Sequence, residues 1–243
     1  MKSSLIIGRQ PLIESLSAGR PIDKILLQKN IAGDVINEIR RLATKMQVPM
    51  QYVPVEKLNS LTRANHQGVV AFAALVQYMD LQHVIDHVVN SGGTPLFVML
   101  DGVTDVRNIG AIARTAVCCG AQALIIPDKG VGALNEDAMK ASAGGLEKIN
   151  VCRVNSLMKA VDELRLNGIK VFASEMTAKK KLFELDLKEP CCIIMGSEDK
   201  GVFKPLMKIC DETFQIPMAG DFESLNVSVA TGMILYEAVK QRM

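Results

Sequence analysis

Apolar positions along the chain predict three successive stretches: a short α/β unit, a connector, and a longer alternation of strands and helices. In the first stretch Leu12, Ile13 and Leu16, behind Pro11, predict a short helix ended by Gly19, and residues 22–27 read as a strand. Val35, Ile39, Leu42 and Met46 recur at i, i+4, i+7 and i+11, one face of an amphipathic helix that carries Arg40, Arg41 and Lys45 elsewhere. Residues 48–53 and 68–76 read as strands, β-branched in part. Over 77–95, Leu81, Val84, Ile85, Val88 and Val89 give one helical pattern that Ser91-Gly92-Gly93-Thr94-Pro95 breaks, and the segment reads as a linker.

Beyond the break, strands are predicted at 96–100, 122–126, 169–173, 191–195 and 213–217. Helices are predicted at about 109–119, 135–142, 156–166, 204–210 and 226–240. Apolar strand runs separated by helices predict a parallel sheet covered on both faces. The expected organisation is therefore α/β, with a small domain at 1–76, a linker at 77–95 and a parallel-sheet domain at 96–243. In open parallel sheets, ligands bind at the carboxyl ends of the strands. Three such ends carry loops that combine glycine with short polar residues: 100–110, running into a helix with Arg114; 195–202; and 216–226, running into the last helix. None is a standard phosphate loop, because no G-x-G-x-x-G follows a strand and no G-x-x-x-x-G-K-[ST] occurs. From pattern alone the chain is a ligand-binding α/β enzyme with a side module.

Composition narrows the class. With 243 residues, 49% of them hydrophobic, and a net charge of +2, the chain can bury a core and is not disordered. Its most apolar runs are interrupted by charge or glycine within a few residues, so neither a membrane span nor a secretory leader is expected. The six cysteines include two adjacent pairs and no C-x-x-C, which reads as buried thiols of a reducing cytoplasm. Three scattered histidines give no metal-ligand spacing, and no metal is expected. Charge is uneven: residues 1–75 hold ten Lys/Arg against five Asp/Glu, whereas the remainder is mildly acidic. That excess reads either as a polyanion-binding surface, with Arg9, Arg40, Arg41, Lys45 and Arg63 as candidates, or as ordinary solubility charge.

The three loops, in this order and spacing, resemble the three motifs of the SpoU/TrmH family of RNA 2′-O-ribose methyltransferases, part of the SPOUT superfamily. The N-x-G-x-x-x-R pattern is Asn108 through Gly110 to Arg114. The G-S/A-E-x-x-G pattern is Gly196-Ser197-Glu198-Asp199-Lys200-Gly201. The I-P-M-x-G and S-L-N-V-S-V-A patterns are residues 216–220 and 224–230. Residues 7–14 and 66–71 resemble the family's substrate-binding N-terminal domain, so the likeness covers nearly the whole chain. One departure is Val106, where the family usually has proline.

The resemblance implies a small N-terminal α/β RNA-binding domain followed by a parallel-sheet SPOUT domain with a deep trefoil knot. It implies S-adenosyl-L-methionine as cofactor, held in the knotted loops by Gly196, Ile216, Met218 and Leu225. It implies a homodimer through the knotted domain, with motif residues of both subunits meeting at one site. The catalytic set it implies is Arg114, Glu198, Asn108, Asn226 and Ser224, with Glu198 orienting Arg114. Among members, the arrangement is most similar to enzymes that methylate a guanosine ribose in 23S ribosomal RNA, either free or in an assembling particle, in the cytoplasm. A tRNA methyltransferase of the same family and a non-catalytic RNA-binding or ribosome-assembly protein remain as alternatives. Taken singly, Arg114 also reads as a surface arginine, Glu198 as a turn carboxylate and Asn226 as a helix cap.

Overall fold

A computed structural model describes residues 5–132, 134–220 and 224–243. The chain divides into two compact units, one running up to Gln77 and joined by residues 134–136, the other comprising Tyr78–Gly132 and Asp137–Met243. The first runs β1 (Leu5–Ile7), α1 (Arg9–Ser17), β2 (Ile22–Gln28), α2 (Asp34–Lys45), β3 (Met50–Val53), α3 (Val55–Leu61) and β4 (Val69–Ala73). Its sheet has the order β1-β4-β2-β3, with only β2 and β3 parallel. One face is covered by Leu12 and Leu16 of α1 and Ile36, Ile39 and Ala43 of α2; the other packs Leu26, Val53 and Val70 on Leu58 of α3. The buried face of α2 is rotated from the predicted one. Ile36 is fully buried while Val35 is 40% exposed, because α2 starts at Asp34 and turns Ile36, Ile39 and Ala43 to the sheet together.

The second unit runs β5 (Tyr78–Met79), α4 (Leu81–Asn90), β6 (Leu96–Asp101), α5 (Val106–Cys118), β7 (Ala123–Pro127), α6 (Glu136–Ser142), α7 (Gly145–Lys148) and β8 (Asn150–Val154). It continues with α8 (Leu157–Leu166), β9 (Lys170–Ser174), β10 (Lys180–Lys181), β11 (Cys191–Gly196), α9 (Lys204–Ile209), β12 (Glu212–Gln215) and α10 (Val227–Arg242). The eight strands lie in the order β10-β12-β9-β11-β6-β7-β8-β5, and every pairing is parallel. Buried runs such as 96–100 and 191–195 are what a sheet covered on both faces requires. The α/β class is therefore as expected.

Three readings change. Residues 77–95 are not a free linker: β5 pairs with β8, and Leu81, Val84, Ile85 and Val88 of α4 are buried in the same core as Phe97 and Met99. Strand β8 was not predicted, because Arg153 interrupts its short apolar run; its guanidinium lies 3.8 Å from the centre of the Tyr78 ring. Of the cysteines only 152, 191 and 192 are buried, Cys118 is exposed, and Cys119 and Cys210 are half-buried; all six are free thiols. Burial pushes the Cys152 thiol up to about 12 and Cys191 to about 11, so both are inert. Among the described residues no helix is long and apolar enough to cross a membrane.

The strand order reverses between β6 and β11, and α10 is aimed at that point. At its far end Arg242 donates to the carbonyls of Thr94, Pro95, Leu187 and Glu189 at 2.7–3.0 Å, ahead of β6 and β11. With that end fixed, a 16-residue helix spans about 24 Å and carries its N-terminus to the carboxyl ends of the strands.

Candidate active site

Helix α5 begins earlier than its pattern predicts. Asp105 caps it, accepting from the Arg107 N–H at 2.9 Å, so Val106 occupies the first helical position and Asn108 lies within the first turn. That first position is where proline fits a helix without losing a hydrogen bond. Valine there removes no donor and no functional group. Gly110, the motif glycine, is inside the helix: a Cβ there would stand 2.4 Å from the Ala138 carbonyl oxygen and 2.8 Å from Ala141 Cβ. The residue is glycine because α6 packs directly on the α5 backbone.

The second loop folds back on itself just past β11. Gly201 N–H donates to Ser197 O at 2.9 Å, and Lys200 N–H to Ser197 Oγ at 3.2 Å. A Cβ at Gly196 would lie 2.0 Å from the Gly201 carbonyl carbon and 2.2 Å from Val202 N, a backbone collision that only glycine avoids. Asp101, at the end of β6, accepts from Phe203 N–H at 2.6 Å and ties the loop to the neighbouring strand.

Residues of all three motifs meet at the start of α10. Asn226 caps that helix, its Oδ1 accepting from Ser228 N (2.9 Å), Val229 N (3.4 Å) and Ser228 Oγ (2.6 Å). Its Nδ2 donates to Glu198 Oε1 at 2.8 Å and to Asn108 Oδ1 at 3.2 Å. Glu198 Oε1 also accepts from Asn108 Nδ2 at 3.1 Å and from Val227 N at 3.4 Å. The carboxylate thus sits at the positive end of α10 and locks the loops after β6, β11 and β12 together.

Arg114 stands apart from this cluster. It is exposed, and among the described residues it has no hydrogen-bond or ion-pair partner, so Glu198 does not orient it within one chain as the resemblance implied. Helix geometry is the reason. Six residues beyond Asn108, Arg114 points about 120° away around the helix and about 9 Å along it. The Asn108 face carries Thr115 against Gly232 of α10, whereas the Arg114 backbone packs on Gly145 of α7, whose Cβ would lie 2.8 Å from Arg114 Cα.

A cavity of about 460 Å³ opens at the carboxyl ends of β9, β11 and β12. All four expected cofactor residues, Gly196, Ile216, Met218 and Leu225, line it, as do Glu198 and Ser224. Asn108, Asn226 and Arg114 do not; the two asparagines support it through Glu198. Of the third loop, residues 221–223 lie outside the described residues. The carboxyl end of β9 also lines the cavity, through residues 174–177, and was not singled out in the sequence. Its Ser-Glu-Met-Thr carries no glycine, although a strand predicted at 169–173 already implied a loop at the ligand-binding end.

This interlock of three separated motifs coincides with what the chain is similar to. The profile of the SpoU rRNA methylase family matches residues 95–236, and that of RNA 2′-O-ribose methyltransferase substrate-binding domains matches residues 5–79. The chain belongs to the SpoU rRNA methylase family. A relative in Staphylococcus aureus, described as a TrmH family tRNA/rRNA methyltransferase, is 36% identical over 242 residues, covering 100% of this chain and 98% of the relative. Among solved structures, the SpoU methyltransferase AviRb from Streptomyces viridochromogenes in complex with the cofactor AdoMet superposes with a TM-score of 0.62 at 26% identity, covering 98% of this chain and 90% of its own. The TrmH/SpoU tRNA modifying enzyme of A. aeolicus gives a TM-score of 0.56 at 29% identity, covering 67% of this chain and 84% of its own.

In this SpoU-family site Asn226 has a double task, as helix cap and as link. Asn226→Leu should cost about 1 kcal/mol for the lost cap, and more for the stranded acceptor on Asn108. The expected result is a melting temperature lowered by about 3 °C or more, together with weaker cofactor binding in calorimetry. A variant unchanged in both would remove Asn226 from the site.

Proposed function

We propose that this protein transfers a methyl group from S-adenosyl-L-methionine to the ribose 2′-hydroxyl of a guanosine in 23S ribosomal RNA. It meets the RNA either free or in an assembling particle, in the reducing cytoplasm where its free thiols persist. The observation that carries this reading is the cavity at the carboxyl ends of β9, β11 and β12, lined by residues of the second and third family motifs and braced through Glu198 by Asn108 of the first. The residues present fit the cofactor: Met195, Val202, Ile216 and Leu225 offer an apolar lining, and Gly196 lets the loop after β11 close tightly at the wall it helps to form. When bound, the cofactor supplies an electrophilic methyl group on a sulfonium. The parallel-sheet domain would carry the deep trefoil knot that the family resemblance implies.

The rest of the chemistry falls to the chain's own residues. A neutral hydroxyl is a poor nucleophile, so it must be oriented and relieved of its proton. A guanidinium is a very poor proton acceptor once protonated, so Arg114 is given no role as base. Its guanidinium polarises the 2′-hydroxyl and holds the adjoining phosphate, while a phosphate oxygen or water accepts the proton. Glu198, Asn108 and Asn226 hold the loops at one geometry, and Ser224, which lines the cavity, would meet the substrate.

Arg114 does not line the cavity of its own chain, so the reading includes a homodimer in which it serves the other subunit's cavity. Helix α10 supports this: Val229, Met233 and Tyr236 follow one another on one exposed face, an apolar stripe suited to a second copy. In the first unit, Lys45 and Arg63 are exposed and unpaired among the described residues, whereas Arg41 is tied to Glu38 and Arg40 to Ile31 O and Asn37. The first two are the better candidates for RNA phosphates. A ribosomal substrate is favoured over tRNA because the A. aeolicus tRNA enzyme matches only 67% of this chain, too little to include the substrate-binding unit along with the catalytic one. Mapping 2′-O-methyl groups in RNA from cells with and without the gene should reveal one lost guanosine mark in 23S RNA. A mark lost from tRNA, or none lost, would overturn the assignment.

A further inference from the structure

Among the groups lining the cavity, one carboxylate stands on backbone held by the sheet and, among the described residues, is engaged only by a neighbouring threonine hydroxyl. Glu175 is the first residue beyond β9. Its N–H donates to Phe214 O at 2.8 Å, extending the contact between β9 and β12, and its carbonyl accepts from Ala178 N at 3.2 Å, closing a turn. The backbone is thus fixed on both sides, and the half-buried side chain lines the cavity. Among the described residues its only partner is Thr177 Oγ1, which donates to Oε1 at 3.2 Å, and no cation pairs with it. The other lining acids differ. Glu198 commits its Oε1 to Asn108, Asn226 and the start of α10, and Asp199 is exposed on the turn beside Lys200.

We propose that Glu175 accepts hydrogen bonds from the ribose hydroxyls of the nucleoside that occupies this cavity, and so selects a ribonucleoside cofactor. The inference rests on the reading of the cavity as the S-adenosylmethionine site. A carboxylate is an acceptor-only group with two oxygens, and a vicinal diol offers two adjacent O–H donors, so the two are complementary. An acidic residue past the carboxyl end of a parallel strand, taking a ribose hydroxyl, is a recurring solution in nucleotide sites. The rest of the cavity fits the rest of such a ligand. Met195, Val202, Ile216, Leu225 and Ala230 are apolar and suit a base, and Lys200, on the loop after β11, and Lys204, at the start of α9, suit a carboxylate tail.

The test is calorimetric titration of the whole protein with S-adenosylhomocysteine and with its 2′-deoxy and 3′-deoxy analogues, for wild type, Glu175→Gln and Glu175→Ala. Expected is a loss of about tenfold or more for the parent ligand on Glu175→Ala, with a smaller loss on Glu175→Gln. The deoxy analogues should bind wild type weakly and be penalised much less by either substitution. Equal affinity of wild type and Glu175→Ala for the parent ligand would overturn the proposal. So would an equal penalty for parent and deoxy ligands, which would mean that Glu175 holds the ammonium group or only the turn. Wild type that binds none of the ligands would instead overturn the cofactor reading itself.

Discussion

Arg114→Ala should lower methyl transfer by about a hundredfold or more while leaving fold and cofactor affinity nearly unchanged. The side chain is exposed and unpaired among the described residues, so its removal leaves no cavity and strands no buried group; a stability change within about 0.5 kcal/mol is expected. It does not line the cavity of its own chain, so cofactor binding measured by calorimetry should be unaltered. On the proposed role, what is lost is a positive charge beside the hydroxyl and phosphate. Arg114→Lys should recover only part of the rate, because an ammonium keeps the charge but not the planar fork that grips two oxygens at once. Turnover above about 5% of wild type in the alanine variant would remove Arg114 from the chemistry.

The sequence carries the local half of this site openly. Residues 96–100 and 191–195 are apolar without alternation, and that marks buried parallel strands whose ends bind ligands. Where an element depends on a distant partner, the local pattern fails. Strand β8 contains Arg153, whose guanidinium lies over the Tyr78 ring of a strand more than seventy residues earlier. The two-residue strand β5 has no pattern of its own, so α4 beside it reads as a linker. In α2 both Val35 and Ile36 are apolar, and which of them faces the sheet is decided by packing, since both belong to plausible helical faces.

The motifs behave likewise. Their spacing reveals three loops, but the bonds that join them link residues 90 and 118 positions apart, and nothing in a linear pattern pairs Asn108 with Glu198 rather than Arg114 with Glu198. The angular offset of Arg114 becomes visible only once α5 is seen to start at Val106 and to lie between α7 and α10. Glu175 was overlooked for the opposite reason: its tetrapeptide has no motif, and only the neighbouring strand ends make it part of a cavity.

Gly196→Val should weaken cofactor binding by up to about 150-fold, and it also supplies the means to test the proposed sharing of one site by two subunits. A Cβ at 196 already collides with the Gly201 and Val202 backbone, so the loop after β11 must move, and with it the wall formed by Ser197, Glu198 and Val202. Displacements of this kind cost about 1–3 kcal/mol, and 3 kcal/mol corresponds to about 150-fold in affinity. Arg114→Ala and Gly196→Val chains are then each inactive, for different reasons. In a mixed dimer one cavity comes from the Arg114→Ala chain and is intact, and the arginine facing it belongs to the Gly196→Val chain and is intact too. Random pairing makes half of all dimers mixed, so about a quarter of wild-type activity should return when the two proteins are produced together. If Arg114 serves the cavity of its own chain, every chain in the mixture carries one fatal defect and no activity returns.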